Sequence, residues 1–361
     1  MFWHADWYCT EAHLSRLLLI SPKGSKVTFW FTQLTAGIAE SVASVDFHMV
    51  NLANFIREGI IEGTNWRSGR IGLSAEDWEI VIDNLRETRD LLEQLDETGG
   101  FAITHVGNLR RSDGNPFPVE DARKSLEGLY WFLSFARGRR TGPILLSGNG
   151  PSAERWQEWR LPALDGGAGE RSWPPRQKEA KALASAWPGF LRLWLKDEWQ
   201  AALTVVLSWY IEAAKGDLIE SALVTGQAAL ELLSWVEHVE QRNLFSAHGF
   251  NRLPAEDCLQ LLLGLNKISL EMPDALPDLK ARAKASNWPD GVRALVQMRN
   301  GFVHPNLRKK RVPGVNMKVR AQAWQLMMHY LQLVLLKLFE YTGEYFDHLK
   351  NTEATVPWAS S

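Results

Sequence analysis

Cysteine is almost missing: Cys9 and Cys258 are the only two in 361 residues, far apart and outside any CxxC pair or Cys/His cluster. That excludes a disulfide framework and a structural zinc site, and makes a reducing cytoplasm the expected compartment. A dominant charge is lacking too. Lys and Arg number 40 against 42 Asp and Glu, for a net charge of −2 and a pI near 6.5. No global positive field marks a nucleic-acid binder, so any contact with RNA has to be local. No apolar run reaches membrane-spanning length; the longest, around Leu326 to Phe339, is interrupted by His329, Gln332 and Lys337 and reads as a buried helix. The opening residues Met1 to Asp6 lack the basic stretch and long apolar core of a signal peptide.

What is present describes a soluble globular chain, with hydrophobic residues at 45% and charged residues at 23%. Its length suits two domains, each able to bury a core. The 17 tryptophans are spread through both halves, which favours large core residues over a base-stacking surface.

Up to about residue 175 strand and helix signals alternate. Strand-like runs fall at Val27 to Phe31, Trp78 to Ile82, Phe101 to Val106, Ile144 to Leu146 and Arg155 to Trp159. Helical patterns fall at Leu85 to Leu95 and from Val119 to Arg137, the latter between Pro118 and Gly138. Residues 1–175 are therefore expected to form an α+β domain. Between Leu161 and Arg176 the composition shifts to Pro, Gly, Ala and charge, the expected boundary. Beyond it the 3.6-residue period takes over. Leu203, Val206, Leu207, Tyr210, Ile211 and Ala214 form one apolar stripe, and Ile219, Ala222, Leu223, Gly226, Leu230 and Leu233 the next. Further helices are expected at Cys258 to Leu265, Asp278 to Lys284, Asp290 to Val303 and Val319 to Tyr341, so residues 176–361 are expected to be an all-α bundle.

One of these helices carries the chemistry. Ser286, Asn287, Trp288 and Pro289 supply its start signals, and Val292, Leu295, Val296, Phe302 and Val303 its expected buried stripe. At about 100° per residue, Arg299 falls in the middle of that stripe. A guanidinium placed there needs an anionic or dipolar partner, either a structural carboxylate or a substrate phosphate. Asn300 and His304, four residues apart, lie one above the other on the adjoining edge. Pro305 puts the imidazole at the helix C-terminus, where the macrodipole favours the protonated ring. A proton-exchanging histidine beside a fixed arginine suits phosphodiester cleavage. The spacing alone is weak evidence, since an Arg and a His this far apart arise by chance about once or twice in such a chain. Arg242, Asn243 and His248 are a second match, in a segment read as a loop. Just downstream of His304, Arg308, Lys309, Lys310 and Arg311 form the densest basic run, which reads as a solvated loop or as a phosphate contact.

Met298 to Pro305 matches the Arg-polar-x3-His signature of the HEPN superfamily, whose members are helical bundles. The stretch Tyr330 to Tyr345 and the closing Val356, Pro357 and Trp358 resemble the C-terminal ends of bacterial HEPN proteins. Gly99 to Phe117, Tyr130 to Gly138 and Arg155 to Trp159 are similar to the strand-rich N-terminal region of ApeA-like proteins. The resemblance implies a metal-independent endoribonuclease, often a toxin or anti-phage defence effector, with its site formed where two protomers meet. His304 would transfer protons as a ribose 2′-OH attacks the adjacent phosphate, Arg299 would stabilise the phosphoryl oxygens, and Asn300 would orient the pair or bind the phosphate. A 2′,3′-cyclic phosphate end would result. Arg299 and His304 lie about 140° apart on one helix, so two copies facing across a two-fold axis grip one phosphate better than one copy does.

The expectation is thus a cofactor-free RNA-cutting homodimer, with an N-terminal domain that senses a ligand or phage trigger. The alternative is a non-catalytic dimerisation or nucleotide- or RNA-binding module, since many relatives lack activity. A metal-dependent hydrolase built on His105 or His48 is disfavoured, because neither has companions at ligand spacing. His105 reads as a strand histidine.

Overall fold

The computed structural model describes residues 9–19, 27–37, 39–52, 59–62, 65–150, 155–166, 171–303 and 316–359. Contacts divide the chain into two units, Met1–Gly169 and Glu170–Ser361.

The first unit is α+β. Its strands are β1 (Cys9–Leu19), β2 (Val27–Gly37), β3 (Ser41–Val42), β4 (Ser44–Val50), β5 (Gly59–Glu62), β6 (Asn65–Ser68), β7 (Arg70–Ala75), β8 (Trp78–Asn84), β9 (Ile103–Arg111), β10 (Phe117–Pro118), β11 (Gly142–Asn149) and β12 (Arg155–Arg160). Eight of them form one sheet in the order β1-β2-β12-β11-β4-β9-β8-β7, antiparallel at every pairing. Alternation sets its buried face: Val45, Phe47 and Met49 on β4, Ile71 and Leu73 on β7, and Ile80 and Ile82 on β8 are all enclosed.

Helix α1 (Thr88–Thr98) links β8 to β9, and α2 (Val119–Arg137) packs against β11. From Gly128 to Arg137 every residue of α2 is buried, as expected of a helix that is apolar on all sides. Gly138 ends it in the left-handed region at φ 72, which a residue with a side chain adopts only at a cost. The next turn is tied down by Ser134, whose Oγ donates to the Thr141 carbonyl and accepts from its N–H, both at 3.0 Å. Asn51, fully buried at φ 50, holds three segments together. Its Nδ2 donates to the carbonyls of Gly100 at 2.9 Å and Asp165 at 3.1 Å, and its Oδ1 accepts from Ala102 N–H at 2.9 Å.

The second unit is helical. It runs α3 (Glu179–Trp194), α4 (Asp197–Lys215), α5 (Ile219–Trp235), a π-helical turn (Val236–Gln241), α6 (Ala247–Phe250), α7 (Ala255–Leu265), α8 (Pro277–Ala285), α9 (Gly291–Val303) and α10 (Met317–Leu338). Both expected stripes are core: Leu203, Val206, Leu207, Tyr210 and Ile211 on α4 are fully enclosed, and Ala222, Leu223, Leu230 and Leu233 on α5 are buried. Helix α5 packs on α4, α7, α9 and α10. Gly189 lets α3 cross closely, since a Cβ there would lie 1.9 Å from the Phe339 carbonyl oxygen.

The expectation of an all-α second half needs correcting. An antiparallel hairpin, β13 (Glu344–Asp347) with β14 (Thr352–Thr355), follows α10. Helix α10 ends at Leu338 rather than Tyr341 because Tyr341 and Phe346 turn inward: Tyr341 packs edge-on to Trp173 at 5.2 Å, and Phe346 N–H donates to the Trp173 carbonyl at 2.8 Å. Trp173, Trp187 and Trp194 are fully enclosed, so these tryptophans serve the core.

Candidate functional site

Helix α9 runs over nearly the expected Asp290–Val303, but its cap lies after the expected start signals. Ser286 closes α8, Asn287 turns the chain at φ 55, and Asp290 is the capping residue, its Oδ1 accepting from Arg293 N–H at 2.7 Å. The other carboxylate oxygen accepts from Gln260 Nε2 at 2.9 Å and ties α9 to α7. Val292, Leu295, Val296 and Met298 are buried, but the stripe fades at its end: Phe302 is half-buried and Val303 is 39% exposed. The last turn of α9 lies beside the first turn of α10, where the Arg320 guanidinium sits 5.7 Å from the Phe302 ring.

Arg299 sits where the stripe begins to fade. Its side chain is half-buried, and Nη1 donates to Asn300 Oδ1 at 3.3 Å. Nε is enclosed without a hydrogen-bond partner, and among the described residues no carboxylate forms an ion pair with this guanidinium. An enclosed donor left unmatched costs about 1–3 kcal/mol. Arg299 and Asn300 are thus brought together. His304 and the basic run Arg308, Lys309, Lys310 and Arg311 lie outside the described residues.

The second sequence match resolves differently. Arg242 pairs with Glu237 at 2.7 Å, and His248 is exposed on α6, a single turn of helix rather than the loop expected. Its arginine is a satisfied structural residue.

Two residues near Arg299 were not anticipated. The Arg320 guanidinium lies 5.7 Å from the Phe302 ring and forms an ion pair with Glu220 in the first turn of α5. These contacts bring together the start of α5, the end of α9 and the start of α10. Leu218, Met317 and Val303, at these same three helix ends, are 69%, 61% and 39% exposed. The sequence did hold a signal for Arg320: with Lys318 it places positive charge in the first turn of a helix, where the macrodipole opposes it, so another partner had to compensate.

Four further histidines are structural, among them His238, which is fully enclosed with Nδ1 2.6 Å from the Ser234 carbonyl. His105 is fully enclosed on β9 beside Thr104, with Nδ1 2.9 Å from Oγ1, and burial lowers its pKa to about 4. His329 lies 3.7 Å from Asp347, and burial brings it to about 4 despite that carboxylate. His348 donates from Nε2 to the Ser172 carbonyl at 2.9 Å and is likewise lowered to about 4 by burial. Among the described residues no group of three or more His, Cys, Asp or Glu could hold a metal ion. No helix there is long and apolar enough to cross a membrane.

Residues 38–169 match the YopA central domain, and residues 196–358 match the YopA C-terminal domain. The SPbeta prophage-derived uncharacterized protein YopA of Bacillus subtilis (strain 168) is 30% identical over 345 residues, covering 93% of this chain and 77% of that relative. The chain belongs to the YopA family. In YopA terms, the central domain spans β3 to β12, and the C-terminal domain spans α4 to β14 and contains Arg299. No solved structure matches the chain.

Proposed function

We propose that the YopA C-terminal domain of this protein is a HEPN-like bundle acting as a metal-independent endoribonuclease, a toxin or anti-phage defence effector of the cytoplasm. One observation carries the reading: Arg299 projects from the seam of α9 with an enclosed Nε and no carboxylate partner among the described residues. An arginine kept in that state at a cost to stability is suited to an anion that arrives from outside, and RNA supplies one. Asn300, touching Nη1, holds the guanidinium in place. His304, one turn beyond Asn300 in sequence, takes the proton of the ribose 2′-OH and returns one to the leaving 5′-oxygen. Arg299 stabilises the charge that builds on the phosphoryl oxygens. The products are a 2′,3′-cyclic phosphate and a free 5′-hydroxyl. Arg308, Lys309, Lys310 and Arg311 bind flanking phosphates.

The exposed Leu218, Val303 and Met317 support a homodimer contact at this end of the bundle, where a second copy completes the cleft. The N-terminal unit senses a ligand or phage trigger. The prophage origin of the Bacillus subtilis relative supports a role in phage conflict.

The test is incubation of the purified chain with single-stranded RNA in EDTA, with end analysis of the products. Cutting to cyclic phosphate ends, lost in His304→Ala and Arg299→Ala, is expected. RNA that binds, stays intact and binds equally well to both variants would replace this reading with a non-catalytic module.

A further inference from the structure

The helix-covered side of the sheet carries a charge ladder. On α2, Arg123, Glu127 and Trp131 recur at every fourth residue and share a face; on β12, Glu158 and Arg160 share a face at every second residue. Four helical residues rise about 6 Å and two strand residues about 6.6 Å, so the two rows stay in step and basic opposes acidic at each rung. The first rung is closed. Arg123 Nε donates to Glu158 Oε2 at 2.7 Å, the carboxylate is fully buried, and the guanidinium lies 5.5 Å from the Trp156 ring.

The second rung is open. Glu127 and Arg160 form no ion pair with each other, and both line a cavity of about 420 Å³ together with Gln33, Tyr130 and Trp131, with Leu161 at its rim. Arg160 Nε is enclosed and has no hydrogen-bond partner; its ion pair with Glu158 Oε1 is long, at 3.8 Å, and that carboxylate is held more closely by Arg123. Glu127 has no ion pair among the described residues. One wall of the cavity is closed where Tyr130 Oη donates to the Ala163 carbonyl at 2.9 Å. The rim segment is also pinned at Asp165, whose carboxylate accepts from Arg140 N–H at 2.8 Å and whose carbonyl accepts from Asn51. The rim segment is thus fixed by hydrogen bonds at Ala163 and Asp165, and the cavity volume lies in the range of small-molecule sites.

We propose that this cavity binds a free α-amino acid with an apolar or aromatic side chain, its carboxylate on Arg160 and its ammonium on Glu127. The charges are complementary to a zwitterion: Arg160, whose one carboxylate contact among the described residues is long and shared with Arg123, and Glu127, which has no ion pair among them, both face the space. A polyanion such as a nucleotide meets Glu127 and the buried Glu158 without enough positive charge to offset them. Tyr130 and Trp131, edge-on to each other at 5.0 Å, supply an apolar wall for the side chain, and Gln33 a neutral polar contact. The inference rests on the ligand-sensing role proposed for this unit and specifies its chemistry.

Isothermal titration calorimetry of the full chain against leucine, phenylalanine and tyrosine, their N-acetyl and amide derivatives, and AMP and GMP tests it. One equivalent of at least one free amino acid is expected to bind, with each blocked form weaker by at least about tenfold. Arg160→Gln should erase the preference over the amide, and Glu127→Gln the preference over the N-acetyl form. No binding of any free amino acid at about 10 mM, equal binding of blocked and free forms, or binding of the nucleotides alone overturns the proposal. Should Arg160→Gln fail to fold, the blocked ligands on the unmodified chain decide. Heat reports binding itself, whereas a change in RNA cleavage on adding the same amino acid reports sensing, so the two ideas can fail separately.

Discussion

Replacing Arg299 by methionine separates a functional guanidinium from a structural one. Methionine keeps an unbranched stem of similar girth and removes the charge. The substitution relieves an enclosed, unmatched Nε, a gain of about 1–3 kcal/mol, and gives up one long 3.3 Å contact to Asn300 Oδ1, a loss of about 0.5 kcal/mol. The balance is a net stabilisation of about 1 kcal/mol, which for a unit of this size raises Tm by about 2–4 °C. RNA cleavage should fall by about 10²–10³ in the same variant, the usual loss when one charge-stabilising donor is removed. Urea unfolding followed by tryptophan fluorescence gives the first quantity, and single-turnover cleavage of a labelled RNA the second. A variant less stable by more than about 1 kcal/mol would make Arg299 a fold-holding residue and refute the argument. Full cleavage in a more stable variant would refute its catalytic half.

Other outcomes follow from the packing and the titrating groups. Gly189→Ala should destabilise the helical unit by about 2–3 kcal/mol, because its Cβ would meet the Phe339 backbone. Gly226→Ala should cost less, about 1 kcal/mol, because its Cβ meets the flexible end of Met327; equal losses in urea midpoints would contradict this. Arg123→Ala leaves the enclosed Glu158 with only the long contact to Arg160 and should cost about 3 kcal/mol, and adding Glu158→Gln should restore part of that loss in a double-mutant cycle. Stability should also decline on acidification. His105, His329 and His348 have folded pKa values near 4, below the unfolded 6.5, so the stability they confer is complete above pH 6.5 and is lost as pH falls toward 4. Urea midpoints at pH 7, 5.5 and 4.5 check the slope, and His105→Gln should flatten it in the first unit.

The sequence made the periodic elements legible and concealed those whose pattern depends on partners. Helix α2 runs over the expected Val119–Arg137 because Pro118 and Gly138 punctuate it and its interior is apolar. Strands β4 and β7 were passed over: their short alternating runs contain Asp46 and His48, or Gly72 and Ser74, which face away from the core and dilute the signal. The β13–β14 hairpin was hidden by the apolar run of α10 flowing into Tyr341 and Tyr345. At the candidate site the 100° count put Arg299 in the middle of a buried stripe, whereas the stripe fades there and Arg299 is half-buried beside an exposed Val303. That no carboxylate among the described residues pairs with it was not legible, because such pairings join residues far apart in sequence, as Glu220 and Arg320 do. The open rung between Glu127 and Arg160 was equally out of reach, since it exists only once β12 lies alongside α2.

The strand order also dictates a timetable for synthesis. The β1–β2 hairpin joins the sheet through β12, which is made more than a hundred residues later, while β4 waits for both β9 and β11. At ribosomal speeds of about 5–20 residues per second, the first hairpin stays outside the finished sheet for roughly ten seconds. Its open edge during that interval is where a nascent-chain chaperone has most to protect.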